Sequence, residues 1–169
     1  MIVRYPNSIL KEKCAPVDPT SAEARKIVSD LRAEAKTVVR QSIGLSAPQI
    51  GVTKRIFVMD TKILGLKGSG VFINPEIIES SEETGVMKEE CMSFPRGVGV
   101  KIRRPVKIKL DAFDEQGFEF SVELTGLAAR CAQHEIDHLN GISILDHATK
   151  HEKRLAIQKI TIDIKRRNK

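Results

Sequence analysis

Apolar residues in SAEARKIVSDLRAEAKTVVR, residues 21–40, fall at Ile27, Leu31, Ala35 and Val38. That spacing lines one face of a helix, and Pro19, Thr20 and Ser21 precede it as capping residues, so a first helix is predicted here. Residues 42–51, SIGLSAPQIG, lose the periodicity and have the glycine, serine and proline content of a loop. From residue 55 the segments shorten to RIFVMD, VFINP, IIESSEE, GVGVKIRR, VKIKLDAFDE and FEFSVEL, divided by Pro75, Pro105 and Gly117. They are rich in β-branched residues and alternate in part, so they read as strands. Residues 106–114 and 118–124, joined through DEQG, make a hairpin. Residues 65–70, GLKGSG, lie between strands with no Lys-Ser/Thr helix start behind them, so they form a turn rather than a phosphate loop.

Helical character returns at residues 125–139, TGLAARCAQHEIDHL, rich in alanine and leucine, with Thr125 placed as a cap and Asn140-Gly141 as a stop. In the tail, Ile157, Ile160 and Ile164 suit a helix while Ile160, Ile162 and Ile164 alternate like a strand; the surrounding strong helix formers favour helix. The order helix, antiparallel strands, helix, tail predicts an α+β fold rather than βαβ alternation. Antiparallel strands would pack around a central helix carrying the motif HExxH, flanked by an N-terminal and a C-terminal helix. The 169 residues fit one domain, 1–169, able to bury a core without disulfides.

Charge changes this picture only at the tail. The formal net charge is +6, yet the first 146 residues balance; residues 147–169 carry eight Lys or Arg against Glu152 and Asp163. Such a tail fits a solvated helix or a polyanionic neighbour such as RNA or the ribosome. The longest apolar runs are strand-sized, and Met1 to Asn7 has no apolar signal core, so a soluble cytoplasmic protein with no membrane contact is expected. Cys14, Cys91 and Cys131 form no CxxC pair or dense framework, which fits reduced thiols or a metal thiolate in a reducing compartment.

Candidate chemistry centres on Gln133 to Gly141, QHEIDHLNG. On a helix His134 and His138 project from one face a turn apart and can grip one metal ion. Glu135 can then reach a metal-bound water as general acid and base. A tetrahedral catalytic site needs a third protein ligand. The HxxGxxH continuation of metzincin proteases fails because Ile144 stands at its histidine. Glu152 sits in a tail too short to form a second catalytic half. Cys131 is about 10.5 Å along the axis from His138, too far for a short thiol to share the ion. Spacing leaves Cys14 open. Cys91, in KEECMSFP, sits just before the structure-breaking Pro95 and is the preferred ligand.

Three stretches in this order resemble the peptide deformylase family over nearly the whole chain. The motif QHExDH is matched by Gln133, His134, Glu135, Asp137 and His138. EGCLS appears as Glu89-Glu90-Cys91-Met92-Ser93, and GxGxAAPQ as residues 42–49, SIGLSAPQ. The resemblance implies that Cys91, His134 and His138 bind a divalent metal, with Fe2+ usual and Zn2+ or Ni2+ as alternatives. It implies Glu135 as general acid/base, with Gln49 and the Met92 backbone N–H stabilising an oxyanion. The implied reaction is removal of formate from N-formylmethionyl nascent peptides. Ile43, Gly44, Glu89, Leu127 and Cys131 are the expected substrate-binding residues. Four positions depart from the family pattern: Ser42 and Glu90 replace glycines, Ser46 an alanine and Met92 a leucine. Altered peptide preference is expected from Glu90, and a structural salt bridge from Asp137 to Arg103 or Arg104. A monomer is the default for one compact domain. Two competing functions remain at this stage: a zinc peptidase, and a non-catalytic protein that docks on RNA through its tail.

Overall fold

In the computed structural model, which describes residues 1–37 and 43–167, the first element is α1 (Ala22–Thr37). Next come β1 (Gly44–Ser46), β2 (Ile56–Met59), a single-turn helix α2 (Thr61–Leu64), β3 (Val71–Ser80), β4 (Thr84–Glu90) and β5 (Gly99–Pro105). The chain continues through β6 (Lys107–Phe113), β7 (Glu119–Thr125), α3 (Gly126–Leu139) and α4 (Lys150–Arg167). Val38 and Ser42, named above, lie outside the described residues. β1, β2, β3, β6 and β7 form an antiparallel sheet in that order, and β4 pairs with β5 in a second. This is the expected α+β class.

All four residues of β2 are buried because both faces of the sheet are covered there. Ile56 and Val58 join Ala24, Ile27, Val28 and Leu31 of α1, while Phe57 and Met59 join Ala128, Ala132 and Ile136 of α3. α3 touches β1, β2, β6 and β7 of the larger sheet and β5 of the smaller one. Thr125 stands at its cap position in extended conformation, but its hydroxyl makes no capping bond. The other end closes as expected: Gly141 takes a φ of 72°, and a Cβ there would lie 2.4 Å from the Lys11 carbonyl.

The structure departs from the expected strands in two places. VFINP and the first four residues of IIESSEE are one strand, β3, running through Pro75: Asn74 adopts a φ of 50° and the register with β6 shifts between Ile73 and Glu76, so the proline sits in a bulge. β4 was not expected, because its side chains are mostly exposed and polar and leave no alternating apolar signal. The tail is the favoured helix. Ala156 and Ile160, one turn apart, are buried in a third cluster with Phe94, Val98, Val100, Ile102, Ile144 and Leu145, and Ile164 packs against it. Ile157 and Ile162 face outward.

Candidate active site

The site forms where α3 passes the end of β4. His134 and His138 lie one turn apart with ring centroids 5.0 Å from each other. Cys91, the first residue after β4, brings its Sγ to 3.1 Å from His138 Nε2. One donor atom from each of Cys91, His134 and His138 lies within 4.8 Å of the others. A thiol and two imidazoles converging in this way match the donor set of a catalytic metal centre with one position left for solvent or substrate. Burial alone would raise the Cys91 thiol, but the charge and hydrogen bonding of His138 and His134 hold it well below the ordinary thiol range.

None of the alternative ligands reaches the cluster. Cys14 is buried in the apolar cluster beneath α3, its amide donating to the Leu139 carbonyl, and burial pushes its thiol up to about 11. Ile144 is buried in the third apolar cluster, and Glu152 accepts from the Thr149 amide and hydroxyl at the start of α4.

Around the cluster, a cavity of about 230 Å³ is lined by Gln49, Met92, Glu135 and all five expected pocket residues, Ile43, Gly44, Glu89, Leu127 and Cys131. Glu135 is 3% exposed, and its Oε2 has no hydrogen-bond partner among the described residues. Burial raises its pKa, against the lowering influence of His134 and His138. A Cβ on Gly44 would come 2.6 Å from Cys131 Sγ and 2.7 Å from Glu135 Oε1, so that glycine keeps the space beside the carboxylate open. Gln49 is held by its oxygen, which accepts from the Ser46 amide and hydroxyl, each at 3.0 Å. Its Nε2 therefore points toward Cys91 Sγ at 3.5 Å and Ser93 Oγ at 3.4 Å. The Met92 N–H has no partner among the described residues.

Glu89 lines the cavity, but its carboxylate is committed elsewhere. Oε1 accepts from Arg104 Nε and Arg130 Nη1 at 2.7 Å each, and Oε2 from Arg104 Nη2 and His134 Nδ1 at 3.0 Å. Burial would raise Glu89, but bonds from His134 and Arg104 prevail and keep the carboxyl well below the usual range. The bond to Nδ1 fixes the ring of His134 so that Nε2 faces the cluster. Asp137 pairs with Arg104 at 2.8 Å, as expected for one of the two arginines, and also with His147.

A sequence model of the family described as polypeptide deformylase matches residues 1–154. The chain belongs to the polypeptide deformylase family. It is 38% identical over 161 residues to a peptide deformylase of Rhizobium meliloti, covering 95% of this chain and 91% of that one. To peptide deformylase 1 of Clostridium perfringens it is 41% identical over 142 residues, covering 83% and 92%. The crystal structure of peptide deformylase from Ehrlichia chaffeensis superposes with a TM-score of 0.88 at 34% identity, covering 99% of this chain and 98% of that one. Polypeptide deformylases are hydrolases of protein N-terminal processing that remove the formyl group in a metal-dependent reaction, and this chain is one of them.

Glutamate at position 90, where the motif EGCLS has glycine, is accommodated across the strand pair. Glu90 opposes Gly99, and a Cβ on Gly99 would come 2.9 Å from Glu90 Cγ and 2.6 Å from Lys88 Cε. Its φ is not positive, so the position does not demand glycine. Its carboxylate pairs with Lys88 at 3.0 Å. Met87, Lys88 and Arg130 also line the cavity and were not singled out from the sequence. Arg130 had one legible signal: a charged residue four positions before His134, on the face of α3 that carries the motif.

Proposed function

We propose that residues 1–169 are one catalytic domain organised around α3, in which Cys91, His134 and His138 hold a divalent ion, Fe2+ in the resident form. The observation that carries this is the convergence of those three donors beside the unpartnered Oε2 of Glu135. When bound, the ion supplies Lewis acidity, which polarises a carbonyl and lowers the pKa of a water. The chain's own residues do the rest. Glu135 Oε2 takes the proton of the attacking water and delivers it to the amine nitrogen as the bond to the formyl carbon breaks. The Gln49 Nε2 amide and the Met92 N–H donate to the oxygen on which negative charge grows, and neither titrates. β4, an edge strand, contributes Met87 to Glu90 to the cavity wall, which suits main-chain pairing with an extended peptide. Ile43, Gly44, Leu127 and Cys131 surround the methionine side chain; burial, with the charges of Glu135 and Glu89, pushes the Cys131 thiol up and keeps it neutral.

The test is metal stoichiometry in Cys91→Ser beside the parent, both loaded anaerobically with ferrous iron or nickel. We expect the variant to lose bound metal and the release of formate from formyl-Met-Ala-Ser together; full occupancy in the variant overturns the ligand assignment.

Formylated nascent peptides are the substrates, and we place the enzyme in the cytoplasm as a monomer that meets them at the ribosome. Among the described residues no helix is long and apolar enough to cross a membrane. α4 exposes Lys153, Arg154, Lys165 and Arg166, while Ala156 and Ile160 fasten it to the core. Reversing those four charges to Glu should therefore weaken ribosome binding and flatten its salt dependence without unfolding the chain. Deformylation of short peptides should be unchanged in that variant. Co-sedimentation equal to the parent at each salt concentration would refute the docking role.

A further inference from the structure

Arg130 is 8% exposed and projects from α3 into the wall of the cavity. An arginine buried beside an apolar side-chain pocket is costly unless its donors are matched. Here they reach three separate points of the β4–β5 hairpin. Nη1 donates to Glu89 Oε1 at 2.7 Å and to the Ile102 carbonyl of β5 at 3.1 Å. Nη2 donates to the Gly85 carbonyl of β4 at 2.7 Å. β4 supplies Met87, Lys88, Glu89 and Glu90 to one wall of the cavity, and α3 supplies Leu127, Arg130, Cys131, His134 and Glu135 to the facing one. Near Cys91 the two walls are held by the metal-ligand cluster and the bond from Glu89 to His134. Gly85 lies six residues from that end, about 20 Å along an extended strand. Among the described residues, Arg130 is the α3 side chain that bonds to this far end of β4 itself, while Gln133 and Asp137 of α3 hold the partner strand at Pro105 and Arg104. Met87, between the two fastenings, is half exposed and stands on the strand so held.

We propose that Arg130 is a positioning residue that sets the width of the substrate side-chain pocket. By clamping β4 and β5 to α3, it holds the wall bearing Met87 at the spacing that admits an unbranched, methionine-sized side chain and resists a bulkier one. A guanidinium can do this because its rigid planar fork spreads donors over a carboxylate and two separate carbonyls, whereas an ammonium presents its donors from a single nitrogen. The inference rests on the reading that this cavity receives the first side chain of the formylated peptide.

The experiment compares the metal-loaded parent with Arg130→Met, Arg130→Lys and Met87→Ala on formyl-Met-Ala-Ser and formyl-Phe-Ala-Ser, with metal stoichiometry and a thermal melt for each protein. Arg130→Met leaves Glu89 its bonds to Arg104 and His134, so bound metal should be retained. We expect its KM for the methionine peptide to rise about tenfold with kcat nearly constant, the scale on which a side-chain pocket discriminates. Its preference for methionine over phenylalanine should narrow by a similar factor. Arg130→Lys should fall between parent and Arg130→Met. Met87→Ala opens the same wall from an exposed position, so it should relax the preference even where Arg130→Met does not fold. Preference and KM equal to the parent in folded Arg130→Lys and Met87→Ala overturn the proposal, whatever happens to the melting temperature. A parent that releases formate from neither peptide defeats instead the reading of the cavity on which the proposal rests.

Discussion

Replacing Glu135 by glutamine is expected to lower kcat by about 10²–10⁴-fold, the usual contribution of a positioned general acid and base. The chain should remain folded and bind metal as before. Glutamine keeps the volume of a side chain that is 3% exposed, so no cavity opens beside Gly44 and Cys131. It removes only the capacity to accept a proton from water and release it to the amine. Burial raises the pKa of the native carboxyl, so keeping a charge there works against the fold, and glutamine carries none. The glutamine variant should therefore melt no lower than the parent. Formate release under single turnover separates this outcome from slow product release. A variant that keeps a tenth or more of parental kcat would move the proton-transfer role to another group.

The parts of the site that could be read from spacing alone are those whose geometry is local; Cys91 was reached instead by eliminating other ligands and by the family motif. His134, Glu135 and His138 needed only helical spacing, and that spacing is what α3 delivers. The hairpin of β6 and β7 was legible for a similar reason: the Asp114 carboxylate accepts from the Gln116 and Phe118 amides and closes the turn over four residues. Glu89 and Arg130 are different. Nothing in residues 84–91 says which way the Glu89 side chain turns, and its partners arrive from β5 and from α3, 15 and 41 residues further along. Whether a charged residue meets solvent, substrate or another buried charge is a property of tertiary packing. β4 escaped notice for the same reason. Its strand conformation follows from pairing with β5 over seven positions, not from a buried alternating face of its own.

That dependence gives Glu89→Gln the largest expected effect on stability. The Glu89 side chain is 6% exposed, as is that of Arg104, while that of Arg130 is 10% exposed. Breaking such a buried pair by neutralising one member typically costs about 3–5 kcal/mol, because the remaining charges stay buried without compensation. Arg104 retains Asp137, and Arg130 retains the carbonyls of Ile102 and Gly85, so the loss should fall within that range rather than abolish folding. A second consequence follows at His134. Its Nδ1 would face an amide in place of a carboxylate, and replacing such a partner of a metal-binding imidazole usually weakens metal affinity about 10–100-fold. Urea unfolding and competition for metal with a chelator check the two effects separately. A loss of stability with unaltered metal affinity would confine Glu89 to bracing the hairpin, and the converse would confine it to orienting His134. Loss of both together is the outcome expected of one carboxylate that bonds at once to two arginines and to the helix bearing the metal ligands.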